Sequence, residues 1–128
     1  IIKLVKFLVK KYKIKKSNIL GHSDISPDRK KDPGEKFPWK KLAKKQLCVW
    51  HNLKSSKLKK FRNLKLNLNE EKTFFKNLSR IGYAVKKKNI STNSRKILIQ
   101  AFQRKFRNNL INGKIDQECL IISKNIKD

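Results

Sequence analysis

The sequence predicts a mostly helical chain: a helix, a short strand, a proline-rich loop and a second helix, followed by an all-α three-helix domain. Three observations lead there. Apolar residues recur at helical spacing near the amino terminus and again through residues 69–128. All three prolines, Pro27, Pro33 and Pro38, fall within residues 23–38. Polar turn residues, Asn112-Gly113 among them, separate the later apolar stripes.

Each element follows from local pattern. In residues 2–13, Leu4–Leu8 and Val5–Val9 form i, i+4 pairs, with Phe7 and Tyr12 nearby and lysines between them, the mark of an amphipathic helix that Ser17 and Asn18 interrupt. Ile19-Leu20-Gly21 reads as a short buried strand with His22 at its end. Residues 23–38 form a structured loop, because closely spaced prolines fix the backbone without a ladder. Pro38 suits the first turn of a helix over about 39–46, with Trp39, Leu42 and Ala43 inward. Residues 54–68 read as a partly helical connector, with a domain boundary near 60–69. Asn69 is a candidate cap for a helix carrying Phe74, Phe75, Leu78 and Ile81 and ending at Gly82. Lys86 to Asn89 read as a polar loop. Ser91 or Thr92 can cap a helix over 93–107 with the stripe Leu98, Ala101, Phe102 and Phe106, and Gln103 and Arg104 are placed outward. Asp116 caps a third helix with Leu120, Ile121 and Ile122. The expected core is Phe74, Phe102, Phe106 and Ile121.

Composition bounds the function. The 128 residues contain 35 Lys and Arg against 9 Asp and Glu, a formal charge of +26. Lysine (29), isoleucine (14) and asparagine (12) are over-used together, which reads as the bias of AT-rich coding DNA before it reads as attraction to a polyanion. Arg95, Arg104, Lys105 and Arg107 on the helix over 93–107 imply a salt-sensitive, non-specific affinity for nucleic acid and no specific complex. No stretch is long and apolar enough for a transmembrane helix. Cys48 and Cys119 are too few for a disulfide scaffold or a four-thiolate zinc site and are read as free. The chain opens Ile1-Ile2-Lys3 and contains no Met, so it is expected to be the interior of a longer protein, cut upstream.

The chemistry-bearing residues cluster in Gly21–Trp39, GHSDISPDRKKDPGEKFPW. His22 and Asp32 lie ten positions apart on a stiff loop, with Lys30 two residues before Asp32. Zinc accepts imidazole nitrogen and carboxylate oxygen. The spacing alone leaves two readings open, a metal-ligating pair and a structural one.

This stretch resembles the signature loop of the zinc-dependent N-acetylmuramoyl-L-alanine amidases, which runs approximately G-H-S-D-I-A-P-x-R-K-x-D-P-G-x-x-F-P-W. Ser26 replaces the usual Ala. The continuation LAKKQLCVW keeps Trp50 but carries Cys48-Val49 where the family has Gly-Ala. In the second half, IGYAV, ILIQAFQRKFR and INGKIDQEC resemble the peptidoglycan-binding-like helical domain.

The resemblance implies the carboxy-terminal part of an α/β amidase fold over residues 1–58, a linker over 59–68 and a peptidoglycan-binding-like domain over 69–128. It implies His22 and Asp32 as ligands of Zn2+, Lys30 as a catalytic cation, and Asp24 and Arg29 as residues that orient the loop. The reaction implied is hydrolysis of the amide between N-acetylmuramic acid and L-alanine, in peptidoglycan or muropeptides, in the periplasm or cell envelope, with a cytoplasmic location as the alternative. The family's third zinc ligand and its glutamate base belong to an earlier segment. His51 is not expected to replace that ligand, so this chain alone is expected to be inactive. The competing expectation is a non-catalytic peptidoglycan-binding protein.

Overall fold

The computed structural model describes residues 1–85 and 90–127, so the polar loop expected at Lys86 to Asn89 lies outside the described residues. Seven α-helices occur among the described residues: α1 (Ile2–Tyr12), α2 (His22–Ile25), α3 (Trp39–Lys44), α4 (Ser55–Leu58), α5 (Leu68–Arg80), α6 (Thr92–Phe106) and α7 (Gln117–Asn125). Short 3-10 turns cover Lys16–Asn18 and Lys59–Phe61.

Helix α1 stops where Lys13 turns left-handed (φ 51°, ψ 40°) and its N–H closes on the Val9 carbonyl. Ile2, Val5 and Val9 pack against a small core of Trp39, Leu42, Leu47 and Cys48. Leu4, Phe7 and Tyr12 stay exposed. Of the two predicted pairs, Val5–Val9 therefore faces inward, while Leu4 lies on the surface.

The strand expected at Ile19–Gly21 does not form. Ile19 (φ −91°, ψ 91°) and Gly21 (φ −82°, ψ 155°) are extended. A strand also needs a neighbour for its N–H and C=O groups, and among the described residues the lone bridge joins Trp50 to Lys127. His22 consequently opens a short helix rather than ending a strand.

The cap of α5 lies two residues earlier than expected. Asn67, not Asn69, accepts from the Glu70 N–H at 2.9 Å, and the Glu70 carboxylate accepts from the Asn67 N–H at 2.9 Å. Glu70 lies three residues after Asn67, as a reciprocal capping box requires, whereas Asn69 is followed at that spacing by Lys72. The helix ends as expected near Gly82, whose φ of 98° suits glycine. A Cβ there would lie 2.9 Å from Leu20 Cδ1. Ser91 caps α6 through the Ser94 N–H, and Asp116 caps α7 through the Cys119 N–H at 2.9 Å.

The larger core joins α5, α6 and α7. Phe74 meets Phe102 edge-on, with centroids 5.1 Å apart at 84°. Phe106, Leu78, Leu98, Ala101, Leu120 and Ile122 complete it, together with Val49 and Leu58 from earlier in the chain. Ile121 packs at its rim, half-buried, while Cys119, Leu120 and Ile122 point inward.

Helix α6 corrects a further expectation. Gln103 and Arg104 are buried, not outward. The Gln103 amide donates to the Lys114 carbonyl at 2.9 Å, and its oxygen accepts from the Gly113 N–H at 2.9 Å. The apolar stripe marked one inward face, but α6 is covered on more than one side. The connector is strapped to α7: Arg62 donates to Glu118 at 2.7 and 3.0 Å, and the Gln117 N–H donates to the Leu64 carbonyl at 2.9 Å. The two cores meet at Trp50, whose ring lies 5.1 Å from that of Phe106.

Candidate active site

Helix α2 carries His22 in its first turn. Asp24 sits at the third helical position, and its Oδ2 accepts from the Gly21 N–H at 2.8 Å, pinning the helix start. The loop that follows folds back on α2. The Ser26 carbonyl accepts from the Arg29 and Lys30 N–H groups at 3.1 and 3.0 Å, and the Asp32 carbonyl accepts from the Ser23 N–H at 2.8 Å. Gly21 permits the closure, since a Cβ there would lie 2.8 Å from Pro33 Cδ. The Asp32–Pro33 peptide is cis.

These contacts bring His22 Nδ1 to 3.3 Å from Asp32 Oδ2, with side chains 49% and 63% exposed. Lys30 lies on the same loop, exposed and held through its backbone. Arg29 donates to Ser26 Oγ at 3.0 Å and stiffens the turn. Asp24 is buried and forms an ion pair with Lys105 of α6 at 3.2 Å. Among the described residues, no group of three or more His, Cys, Asp or Glu side chains is placed to hold a metal ion. The His22–Asp32 pair thus offers two donors.

Sequence reasoning missed Lys105 of α6 and Ala84 just past α5, which support this loop from the carboxy-terminal half of the chain. The Ala84 N–H donates to the Asp24 carbonyl at 3.0 Å. Burial, and then the nearby Asp24 carboxylate, push the Tyr83 phenol well above 10. A usable signal existed for Lys105: it continues the inward register of Leu98, Ala101 and Phe102. A cavity of about 310 Å³ lies beside the loop, lined by Ser26, Pro27, Asp28, Arg29 and Ala84 among others. A larger groove of about 950 Å³ begins at the far end of the loop and runs past Phe37, Trp39, Trp50, His51 and Lys105.

His51 is accounted for without a metal. Its Nδ1 accepts from the Leu53 N–H at 3.3 Å, and its ring stacks on Trp50 with centroids 5.4 Å apart. Burial, reinforced by Lys40, holds its pKa below 6.5. Cys48 and Cys119 are free and buried. Burial raises the Cys48 thiol and pushes that of Cys119 up to about 12, so neither is an activated nucleophile. The cations expected to give α6 its affinity for nucleic acid are engaged or enclosed. Arg104, Lys105 and Arg107 are buried, and Arg95 pairs with Glu71 and lies over the Phe75 ring.

No protein-family model matches the chain. The chain is 33% identical over 124 residues to N-acetylmuramoyl-L-alanine amidase AmiD of Escherichia coli K12, covering 97% of this chain and 45% of that protein. It is 51% identical over 39 residues to 1,6-anhydro-N-acetylmuramyl-L-alanine amidase AmpD of Haemophilus influenzae, covering 30% of this chain and 21% of that protein. The solved structure of AmiD from E. coli, in complex with the substrate anhydro-N-acetylmuramic acid-L-Ala-D-gamma-Glu-L-Lys, superposes with a TM-score of 0.80 at 32% identity, over 98% of this chain and 48% of that one. AmpDh3 from Pseudomonas aeruginosa superposes with a TM-score of 0.77 at 26% identity, over 98% and 49%. The chain therefore spans less than half the length of each of these relatives. Its homologues and structural neighbours are N-acetylmuramoyl-L-alanine amidases of the AmiD and AmpD kind.

Proposed function

We propose that this chain is part of a zinc-dependent N-acetylmuramoyl-L-alanine amidase, which hydrolyses the amide joining N-acetylmuramic acid to L-alanine in peptidoglycan or in muropeptides. The observation that carries the reading is the match to AmiD through 97% of the chain. Residues 1–58 belong to the amidase unit, 59–68 to a linker and 69–128 to a peptidoglycan-binding-like unit. The protein acts in the periplasm or envelope, with the cytoplasm as the alternative.

The donor set fits part of a zinc site. Two ligand atoms at about 2.0–2.2 Å from one tetrahedral zinc lie roughly 3.4 Å apart, and His22 Nδ1 and Asp32 Oδ2 stand 3.3 Å apart. His22 and Asp32 would hold the ion, with the third ligand and the general base supplied by polypeptide outside these 128 residues. When bound, zinc supplies polarisation of the scissile carbonyl and activation of the attacking water. Lys30 provides fixed positive charge for the oxyanion that develops on the substrate, and removal of one such group typically costs about 3–4 kcal/mol in the barrier. Asp24 and Arg29 orient the loop from behind.

A second reading, a non-catalytic peptidoglycan-binding protein, is favoured by the pairing of two donors rather than three among the described residues. One experiment separates them. Release of L-Ala-peptide from an anhydro-muropeptide is measured for this chain and for the product of its gene extended upstream. The amidase reading expects turnover from the extended protein, loss of it in His22→Ala and Asp32→Ala, and none from the 128-residue chain. An extended protein that binds peptidoglycan but never cleaves it selects the second reading.

A further inference from the structure

We infer that Lys105, on α6, is a positioning residue for the His22–Asp32 loop, so that the carboxy-terminal helices are a working part of the candidate active site and not merely an attached wall-binding unit. This inference rests on the proposed role of that loop.

The geometry is specific. The Lys105 ammonium lies 3.2 Å from Asp24 Oδ2, and both side chains are only 2% exposed. The same oxygen accepts from the Gly21 N–H, immediately before His22. The ammonium also sits 4.1 Å from the ring centroid of Trp39, where α3 begins and the loop ends. One cation from α6 therefore touches both ends of the 21–39 loop. The Ala84 N–H, bonded to the Asp24 carbonyl, adds a second link from the same helical unit.

Burial makes the contact consequential. A carboxylate out of water requires a counter-charge. With Lys105 replaced by a neutral side chain, the Asp24 carboxylate loses the ammonium that holds Oδ2 in place. Its hold on the Gly21 N–H weakens, and the start of α2, with His22 on it, loses its anchor. A tether that merely held two domains together would have no need to bury an ion pair beneath the loop.

The test is amide hydrogen exchange by NMR on the labelled chain, comparing wild type with Lys105→Met. The expected result is exchange at least about tenfold faster at Gly21 and Ser23 and altered His22 imidazole shifts, with unchanged exchange at Leu78, Phe102 and Leu120. Unchanged Gly21 and Ser23 overturn the inference. So does a uniform acceleration across the chain, which marks Lys105 as a general stabiliser. If Lys105→Met does not fold, the double variant Asp24→Asn/Lys105→Met buries no lone charge and is read the same way. Neither exchange nor the His22 shifts require zinc or turnover. Failure of this inference and failure of the amidase reading therefore give different results: the first shows in exchange at Gly21 and Ser23, the second in turnover.

Discussion

Replacing Arg107 with Met will destabilise the chain by about 3–5 kcal/mol, the usual cost of leaving a buried charge without its partner. The same substitution at Arg104, three residues earlier, will cost nothing or stabilise by about 1 kcal/mol. Arg107 donates to Asp116 at 2.5 Å and to Glu118 at 3.1 Å, with all three side chains almost fully enclosed. Without it, Arg62 still faces Glu118 at 2.7 Å, but Asp116 keeps only the N–H groups of Asn63 and Cys119. Arg104 is buried, and its Nε and Nη2 have no hydrogen-bond partner among the described residues, so its removal takes away an uncompensated desolvation cost. Urea unfolding reads the difference as a shift in midpoint at constant slope, and the Arg107 variant will melt about 10–20 °C lower.

The pH dependence adds a check. Burial pushes the Asp116 carboxyl up, but the Cys119 N–H, the Arg107 guanidinium and the Asn63 N–H together outweigh it and hold the pKa below 3.8. A carboxyl depressed in the folded state contributes stability above its unfolded pKa and loses it as pH falls through the folded value. The wild type thus sheds this contribution only below about pH 3.8, and the gap between wild type and the Arg107 variant narrows as acid is added. Equal stabilities for the two Met variants, or a gap that stays constant between about pH 5 and pH 3, would refute the ion-pair account.

Two further outcomes follow from single contacts. Asn67→Ala will cost about 1 kcal/mol by removing the capping box of α5, while Asn69→Ala will stay within about 0.5 kcal/mol; equal losses in urea unfolding would return the cap to Asn69. The His51 imidazole will titrate below 6.5 by NMR, because burial resists its charging. Its contribution to stability is therefore full above pH 6.5 and lost as pH falls through the folded midpoint; a midpoint at or above 6.5 would show that the ring is not enclosed.

What was legible in the sequence was what depends on neighbours a few residues away. Helices α5, α6 and α7 follow from apolar spacing and from caps such as Ser91 and Asp116. The His22–Asp32 approach was legible as a motif, because Pro27 stiffens the segment that joins them and Gly21 and Pro33 flank it. That no strand forms at Ile19–Gly21 was not legible, since strand formation depends on a partner that no local pattern reveals. The cap at Asn67 was available from Glu70 three residues on and was missed in favour of Asn69.

The charges of α6 show how more could have been read. Thr92–Phe106 contains no acidic residue, yet Arg104 and Lys105 within it and Arg107 just beyond it are buried. A buried cation on a helix without acids must find its carboxylate on another element or remain uncompensated. Arg107 finds Asp116 and Glu118 at the start of α7, Arg104 finds no carboxylate among the described residues, and Lys105 finds Asp24 across 81 residues. The inward register of Lys105 was visible in the sequence, and so was Asp24 as a residue of the loop. Joining them required only that an enclosed lysine be assigned a counter-charge, and that assignment is what couples the carboxy-terminal helices to the loop bearing His22 and Asp32.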